Sequence, residues 1–104
     1  MYLIIWRYQI HIQHRHAFET AYRPDGDWPR LFNNFDGYIR TELLHDTSVD
    51  EYLTIDYWRD ADSYARFRSA DRRAYEELDV KCDAFTAAET FIGAFSRERS
   101  DANW

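Results

Sequence analysis

The sequence predicts an α+β fold in which one antiparallel sheet of four strands is covered on one side by helices. Three observations lead to this prediction. Four segments are rich in β-branched and aromatic residues, as strands are: 2–12, 38–46, 52–59 and 90–97. Between them, apolar residues recur at helical spacing. The resulting order, strand–helix–strand–strand–helix–strand, is typical of the ferredoxin-like arrangement.

The first strand, YLIIWRYQIHI, alternates from Trp6 onward and places Arg7 and His11 opposite to Trp6. A helix is expected over about 14–22. The stretch AYRPDGDWPRLF then holds both prolines and one of the three glycines of the chain. We interpret it as a helix stop followed by a helix start, with Asp27 as the N-cap of the second piece. The apolar residues of this piece are Trp28, Leu31, Phe32 and Phe35.

Residues 38–59 are predicted to form a hairpin around the polar turn TSVDE. In its first strand, alternation places four residues on one face: Tyr38, Arg40, Glu42 and Leu44. In its second strand, one face carries Thr54, Asp56 and Trp58, and the other carries Leu53, Ile55 and Tyr57. Strand parity alone leaves open which of these faces lies against the helices.

Asp60 starts a helical region in which Tyr64 and Phe67 face the same way. A further helix is expected after a cap at Ser69 or Asp71, with apolar positions at Tyr75, Leu78, Cys82 and Phe85. The segment TAAE, 86–89, has capping-box spacing and predicts one more helical turn before the last strand. Residues 97–104 are expected to be a polar C-terminal tail of a single domain spanning 1–104.

Composition excludes several classes of function. The formal net charge is −6 and the basic residues are scattered, so neither nucleic-acid nor membrane binding is expected. With three glycines in the chain, no phosphate-binding loop is present. The single cysteine, Cys82, lies on an apolar helical stripe and indicates a small buried hydrophobe in a cytoplasmic protein.

Both faces of the predicted sheet carry large apolar residues. Leu3 and Ile5 oppose Ile4 and Trp6, and the last strand has phenylalanines on one side and Ile92 on the other. In a sheet with one face in water, every second residue of each strand, pointing to that face, would instead be polar. We therefore expect a homodimer in which two copies pack sheet to sheet.

The order of elements and the run GYIRTELLHD…EYLTIDYWRDADSYARF…YEELDVKCDAFT resemble the antibiotic biosynthesis monooxygenase superfamily of dimeric α+β barrels. The resemblance covers 2–95, including the first-strand Trp6 and the PDGDWP break. It implies a pocket between sheet and helices in which O₂ oxidises an aromatic, polyketide-like phenol or quinol without metal, flavin or haem. Haem degradation is not expected, because Phe67 and Tyr75 stand where the haem-degrading members have tryptophan and histidine.

Such chemistry needs an aromatic pocket, a proton acceptor and a cation or donor for the developing anion. The candidate catalytic residues are Asp56, Trp58, Arg40 and His14. The base is one of Asp56, His11, His14 or His16, and the cation is Arg7 or Arg40. The candidate substrate-binding residues are Trp6, Trp28, Phe32, Tyr38 and Phe67.

Some of these residues could instead have a purely structural role. Trp58 and Trp28 could be ordinary core residues, and Asp56 could pair with Arg40 across the hairpin. Three histidines near the first strand, His11, His14 and His16, raise the possibility of a metal site, but strand alternation separates them and no metal is expected. Two hypotheses of function follow: a cofactor-independent monooxygenase acting on a small aromatic molecule, or a non-catalytic dimeric binding or structural protein with the same pocket.

Overall fold

The structure, a computed structural model, describes residues 1–98. It contains four strands, β1 (Tyr2–Ile10), β2 (Tyr38–Asp46), β3 (Glu51–Trp58) and β4 (Thr86–Ser96). Four helices lie between them: α1 (Arg15–Tyr22), α2 (Asp27–Phe32), α3 (Ala61–Ser69) and α4 (Arg73–Asp83). All strand pairs are antiparallel and the sheet order is β2-β3-β1-β4. The predicted α+β, ferredoxin-like fold is therefore confirmed.

Strand register decides which residues face the helices. Ile4 lies opposite Asp56 and Tyr8 opposite Tyr52, and all four are buried. Directly opposed residues of an antiparallel pair share a face, so this is the side covered by helices. The opposite parity, with Leu3, Ile5 and Ile55 among its members, forms the open face of the sheet. The question that strand parity left open is thus answered: Thr54, Asp56 and Trp58 face inward.

A β-bulge in β2 interrupts the regular alternation that was predicted for that strand. Tyr38 lies opposite Trp58, whereas Arg40 lies opposite Tyr57, so the register shifts between them. Because the extra residue reverses the parity, Tyr38 joins Thr41 on the inward side, and Arg40 stays on the open face. The sequence pattern had placed Tyr38 and Arg40 on the same face.

The break between α1 and α2 has the expected form, with one change. The N-cap of α2 is Gly26, and Asp27 is instead the first residue of the helix. A Cβ added to Gly26 would lie 2.5 Å from the carbonyl oxygen of Thr20 and 2.6 Å from that of Ala21. Only glycine therefore lets the chain turn so closely against the end of α1.

The start of α3 agrees with the sequence, and three details of the helix and strand termini differ. Asp60 caps α3 by accepting hydrogen bonds from Ser63 N at 2.8 Å and Oγ at 2.7 Å. The N-cap of α4 is Arg72 rather than the predicted Ser69 or Asp71, and the Asp71 carboxylate accepts from Arg73 N at 3.0 Å just before the helix. The segment TAAE was wrongly predicted as a helical turn, because Thr86 pairs with Ile10 and extends the β1–β4 ladder. The first strand also ends earlier than predicted, and a 3₁₀ turn follows at Ile12–His14. Of the predicted tail, residues 99–104 lie outside the described residues.

Candidate functional site

A cavity of about 280 Å³ lies between the sheet and the helical layer. All four strands and all four helices contribute to its wall, and more than half of the residues that line it are aromatic. Ile4, Trp6 and Tyr8 come from β1, and Trp28 and Phe32 come from α2. An apolar, aromatic wall with a few polar groups suits a flat aromatic ligand.

Asp56 is the buried acid of this cavity and is 9% exposed. Its Oδ1 accepts a hydrogen bond of 2.6 Å from the hydroxyl of Thr41, which lies opposite it on β2. Thr41 Oγ1 in turn lies 2.7 Å from the Tyr38 hydroxyl. Since the Thr41 proton points to the carboxylate, Tyr38 is the donor in this second bond. Three side chains thus form a hydrogen-bonded chain from the cavity toward β2.

The environment of Asp56 brings its pKa close to neutral pH. Burial raises the pKa of Asp56 to about 7, and the Thr41 hydrogen bond opposes this change. A carboxyl group in this range can both accept and release a proton near neutral pH, which is the requirement for a general base. Tyr8 and Tyr22 also border the cavity, and burial raises the pKa of both hydroxyls, so they stay protonated there.

Trp58 is both core and cavity wall. It is 1% exposed, and its ring stacks on Phe67 at a centroid distance of 5.2 Å. Phe32 contacts the same two rings, at 5.9 Å from Trp58 and 5.2 Å from Phe67. Trp58 is therefore a core residue and also a residue of the candidate site, since the ring that packs in the core also borders the cavity.

The family model for antibiotic biosynthesis monooxygenases matches residues 1–77. The chain belongs to the antibiotic biosynthesis monooxygenase family. Comparison with curated proteins finds no match. Among residues 1–98, every helix is too short or too polar to span a lipid bilayer.

Solved structures share the family fold. SnoaB from Streptomyces nogalater, described as a cofactor-independent oxygenase, has a TM-score of 0.75 at 17% identity, over 98% of this chain and 97% of that one. PA3566 from Pseudomonas aeruginosa has a TM-score of 0.68 at 15% identity, over 94% of both chains. Rv0793 from Mycobacterium tuberculosis has a TM-score of 0.67 at 13% identity, over 97% of this chain and 98% of that one.

In this family member, most of the residues proposed from sequence come together around the cavity. Six of them line it: Asp56, Trp58, Trp6, Trp28, Phe32 and Phe67. Tyr38 is connected to it through the hydroxyl of Thr41. On its other side, Tyr38 borders a shallower surface groove of about 260 Å³ together with Pro24 and Pro29.

The two proposed arginines lie on the open face of the sheet instead. The Arg40 guanidinium stacks over the Tyr57 ring at 3.9 Å and pairs with Glu42 at 3.4 Å. Arg7 pairs with Asp46 at 3.2 Å and with Glu51 at 3.1 Å. The β2 bulge keeps Arg40 away from the cavity, and regular alternation does the same for Arg7. The alternative pairing of Arg40 with Asp56 is not formed, because the partner of Asp56 is Thr41.

The histidines also lie away from the cavity. His14 stands before α1, with its ring 5.8 Å from Phe85 and 6.4 Å from His11. His16 is exposed. Within the described part of the chain, no three His, Cys, Asp or Glu side chains converge as a metal site. A catalytic role for His14 in this cavity therefore has no geometric support.

Sequence reasoning missed several polar residues of the cavity lining, among them Thr41, Arg68, Asp79 and Glu89. Thr41 could have been found from hairpin register, because it lies opposite Asp56. Arg68 lines the cavity from α3 and follows Tyr64 by one helical turn, so the spacing of Tyr64, Phe67 and Arg68 was the available signal. Among the described residues that line the cavity, Arg68 alone carries a positive charge.

Proposed function

We propose that this chain is a cofactor-independent monooxygenase that oxidises a small aromatic phenol or quinol with O₂. The observation that supports it is the buried carboxyl of Asp56, whose pKa of about 7 places a proton acceptor inside an aromatic cavity. The cavity volume of about 280 Å³ is close to the lower end of the range of about 300–1,000 Å³ for small-molecule sites, which favours a compact fused-ring substrate.

The reaction starts with the transfer of a proton from the substrate to Asp56: a hydroxyl proton for a phenol or quinol, and for an anthrone the proton of the methylene carbon or of the enol hydroxyl. The resulting anion is electron-rich and gives one electron to O₂, and the two radicals then combine through a new carbon–oxygen bond. For an anthrone, the peroxide formed at the methylene carbon loses water to leave a carbonyl group. One oxygen atom enters the product and the other leaves as water, so the substrate supplies all the electrons.

The residues around Asp56 have separate tasks in this scheme. Thr41 holds the carboxylate through Oδ1, and Tyr38 orients Thr41. Trp58, Phe67 and the other rings exclude water and align the substrate plane. Arg68 is the cation placed to stabilise the developing anion, a task that the sequence had assigned to Arg7 or Arg40.

Oxygen uptake with an anthrone is the direct test of this function. With purified protein, we expect consumption of one O₂ per anthrone at a rate at least about 100-fold above the uncatalysed reaction. The product is measured by its quinone absorbance and an oxygen electrode records the uptake. Binding of the anthrone without accelerated uptake would instead identify the chain as a non-catalytic binding protein of the same fold.

We also propose that the protein works as a homodimer packed through the open face of the sheet. The half-buried Leu3, Ile5 and Ile55 lie on that face, and Leu44 and Phe95 are 43% and 46% exposed. Contiguous apolar surface of this kind is typical of an interface, and a two-fold pairing would cover it with the same surface of a second copy.

Replacing Ile55 by arginine tests the dimer. Ile55 lies in the middle of β3 beside Ile5, so a buried guanidinium there is expected to convert the dimer into a monomer. Sedimentation velocity at micromolar concentration gives the mass, and circular dichroism verifies the fold. Val80→Arg adds the same charge at a position of α4 that is 75% exposed and should stay dimeric. A wild-type monomer, or a dimer that survives Ile55→Arg, would contradict the proposed packing.

A further inference from the structure

The indole N–H of Trp28 is a buried donor beside the cavity. Trp28 is 7% exposed and lines the cavity from α2. Its Nε1 atom has no hydrogen-bond partner among residues 1–98. The Tyr22 hydroxyl and the Cys82 thiol lie close to this N–H. Burial raises the pKa of both groups and the Trp28 N–H lowers it, but neither group meets the distance and angle of a hydrogen bond with Nε1. Buried donors are nearly always paired, so this exception requires an explanation.

One other buried side-chain nitrogen in the described residues is also unpaired, and its surroundings differ. Arg72 Nη1 belongs to a guanidinium that stacks over the Tyr75 ring at 3.8 Å. The π face of the ring is an electrostatic partner for that cation. Trp28 has no such compensation among the described residues, because its N–H lies in the plane of its own ring and no acceptor completes a hydrogen bond with it there.

The position of Trp28 is fixed by contacts on three sides. Its ring packs against Tyr75 at 5.1 Å and Phe32 at 5.8 Å. The preceding residue, Asp27, forms an ion pair of 3.1 Å with Lys81 of α4 and another with Arg30. The close approach of Gly26 to α1 holds the start of the helix. A donor held in this way is preorganised, so a ligand that accepts from it loses little entropy in ordering the site.

We propose that Trp28 Nε1 donates a hydrogen bond to a carbonyl or phenolic oxygen of the aromatic ligand, with the Tyr22 hydroxyl as a second donor beside it. This inference rests on the proposed function, since it uses the same cavity. Trp28 lies in the helical layer and Asp56 lies in the sheet. The preferred substrate is therefore an aromatic compound with two oxygen functions, one for each layer.

A ligand without the second oxygen leaves the buried N–H unpaired, whereas a ligand that carries it gains a bond in a site that excludes water. Sites built to hydrogen-bond a ligand group discriminate strongly against analogues that lack it. We expect a preference of about tenfold, which corresponds to a single neutral hydrogen bond. Trp28 is thus a specificity-determining residue at the break between α1 and α2.

The test uses two ligands that differ in one carbonyl group. A hydroxytetralone carries a phenol on one ring and a ketone on the other, and the corresponding hydroxytetralin lacks only the ketone. Isothermal titration calorimetry of both with wild type, Trp28→Phe and Phe32→Leu gives the preference in each protein. We expect the wild type to bind the ketone about tenfold more tightly and Trp28→Phe to show no preference. Phe32→Leu removes only apolar contact and should weaken both ligands alike.

The outcomes separate this inference from the proposed function. A tenfold preference that persists in Trp28→Phe, or equal binding of both ligands to wild type, overturns the role of Trp28 and leaves the oxygenase proposal standing. Failure of both ligands to bind overturns both. If Trp28→Phe does not fold, nuclear magnetic resonance of the four indole N–H groups of the wild type replaces it. One resonance should then shift on addition of the ketone and stay in place with the tetralin, and the absence of such a shift overturns the inference.

Discussion

Replacing Asp56 by asparagine is expected to lower kcat/KM for anthrone oxidation by about 1,000-fold, as loss of a general base typically does. Asparagine keeps the size of the side chain and can still accept the Thr41 hydrogen bond through its amide oxygen. It cannot take a proton. The oxygen electrode measures the rate, and fluorescence titration with a non-oxidisable quinone verifies that the variant still binds an aromatic ligand.

The pH profile of the wild type gives an independent signature of the same group. Since burial raises the pKa of Asp56 to about 7, kcat/KM should rise with pH through that value and then level off. His14→Gln serves as the control, because His14 lies outside the cavity lining, and it should retain the activity and profile of the wild type. Loss of activity in His14→Gln with retention in Asp56→Asn would transfer the role of base to the histidine.

Asp56→Asn should also stabilise the protein at high pH, in contrast to its effect on activity. The folded protein binds the Asp56 proton more tightly than the unfolded chain does, because its pKa is about 7 rather than about 3.9. Stability contributed by the protonated form is therefore lost as the pH rises from about 4 through about 7. Over this pH range the free energy of unfolding of the wild type falls by up to about 4 kcal/mol because of the pKa difference. Asp56→Asn has no carboxyl group at this position and does not lose this stability.

Urea denaturation of both proteins at about pH 4 and about pH 9 measures this effect. The free energy of unfolding of Asp56→Asn, relative to wild type, should increase by several kcal/mol between the two conditions. Asp25→Asn removes the same charge from a side chain that is 82% exposed, and should show little change. Equal pH dependence of wild type and Asp56→Asn would mean that the carboxyl of Asp56 titrates as an exposed one does.

The sequence predicted the fold well because its signals are local. Alternation in 52–59 correctly grouped Thr54, Asp56 and Trp58, and the side chain of Asp60 correctly marked the start of α3. The error at TAAE has a physical reason. Capping-box spacing describes a possible helix start, but edge pairing of Thr86 with Ile10 satisfies the same backbone groups in a strand, and no local pattern contains that long-range contact.

The site was less predictable, because it depends on register and on contacts between layers. All of the aromatic residues proposed from the sequence except Tyr38 line one cavity, as is expected when large rings cluster in a small core. The arginines proposed as cations do not: the extra residue in β2 separates Arg40 from the face of Tyr38, and regular alternation in β1 places Arg7 on the open face. Arg68 was missed although it follows Tyr64 by one helical turn, because a charged residue on a largely exposed helix is normally assigned to the solvent face.

The bulge in β2 has a consequence for the hydrogen bonds of Asp56. Residues three apart in a regular strand point to opposite sides, so Tyr38 and Thr41 could not meet without the inserted residue. With it, hydroxyl groups lead from Asp56 through Thr41 to Tyr38, which borders the outer groove beside Pro24 and Pro29. In the proposed reaction Asp56 returns its proton to the peroxide, and this row of hydroxyl groups connects the acid to the surface of the protein through the sheet edge. The irregularity that separates Arg40 from the acid thus also connects that acid to a groove on the surface.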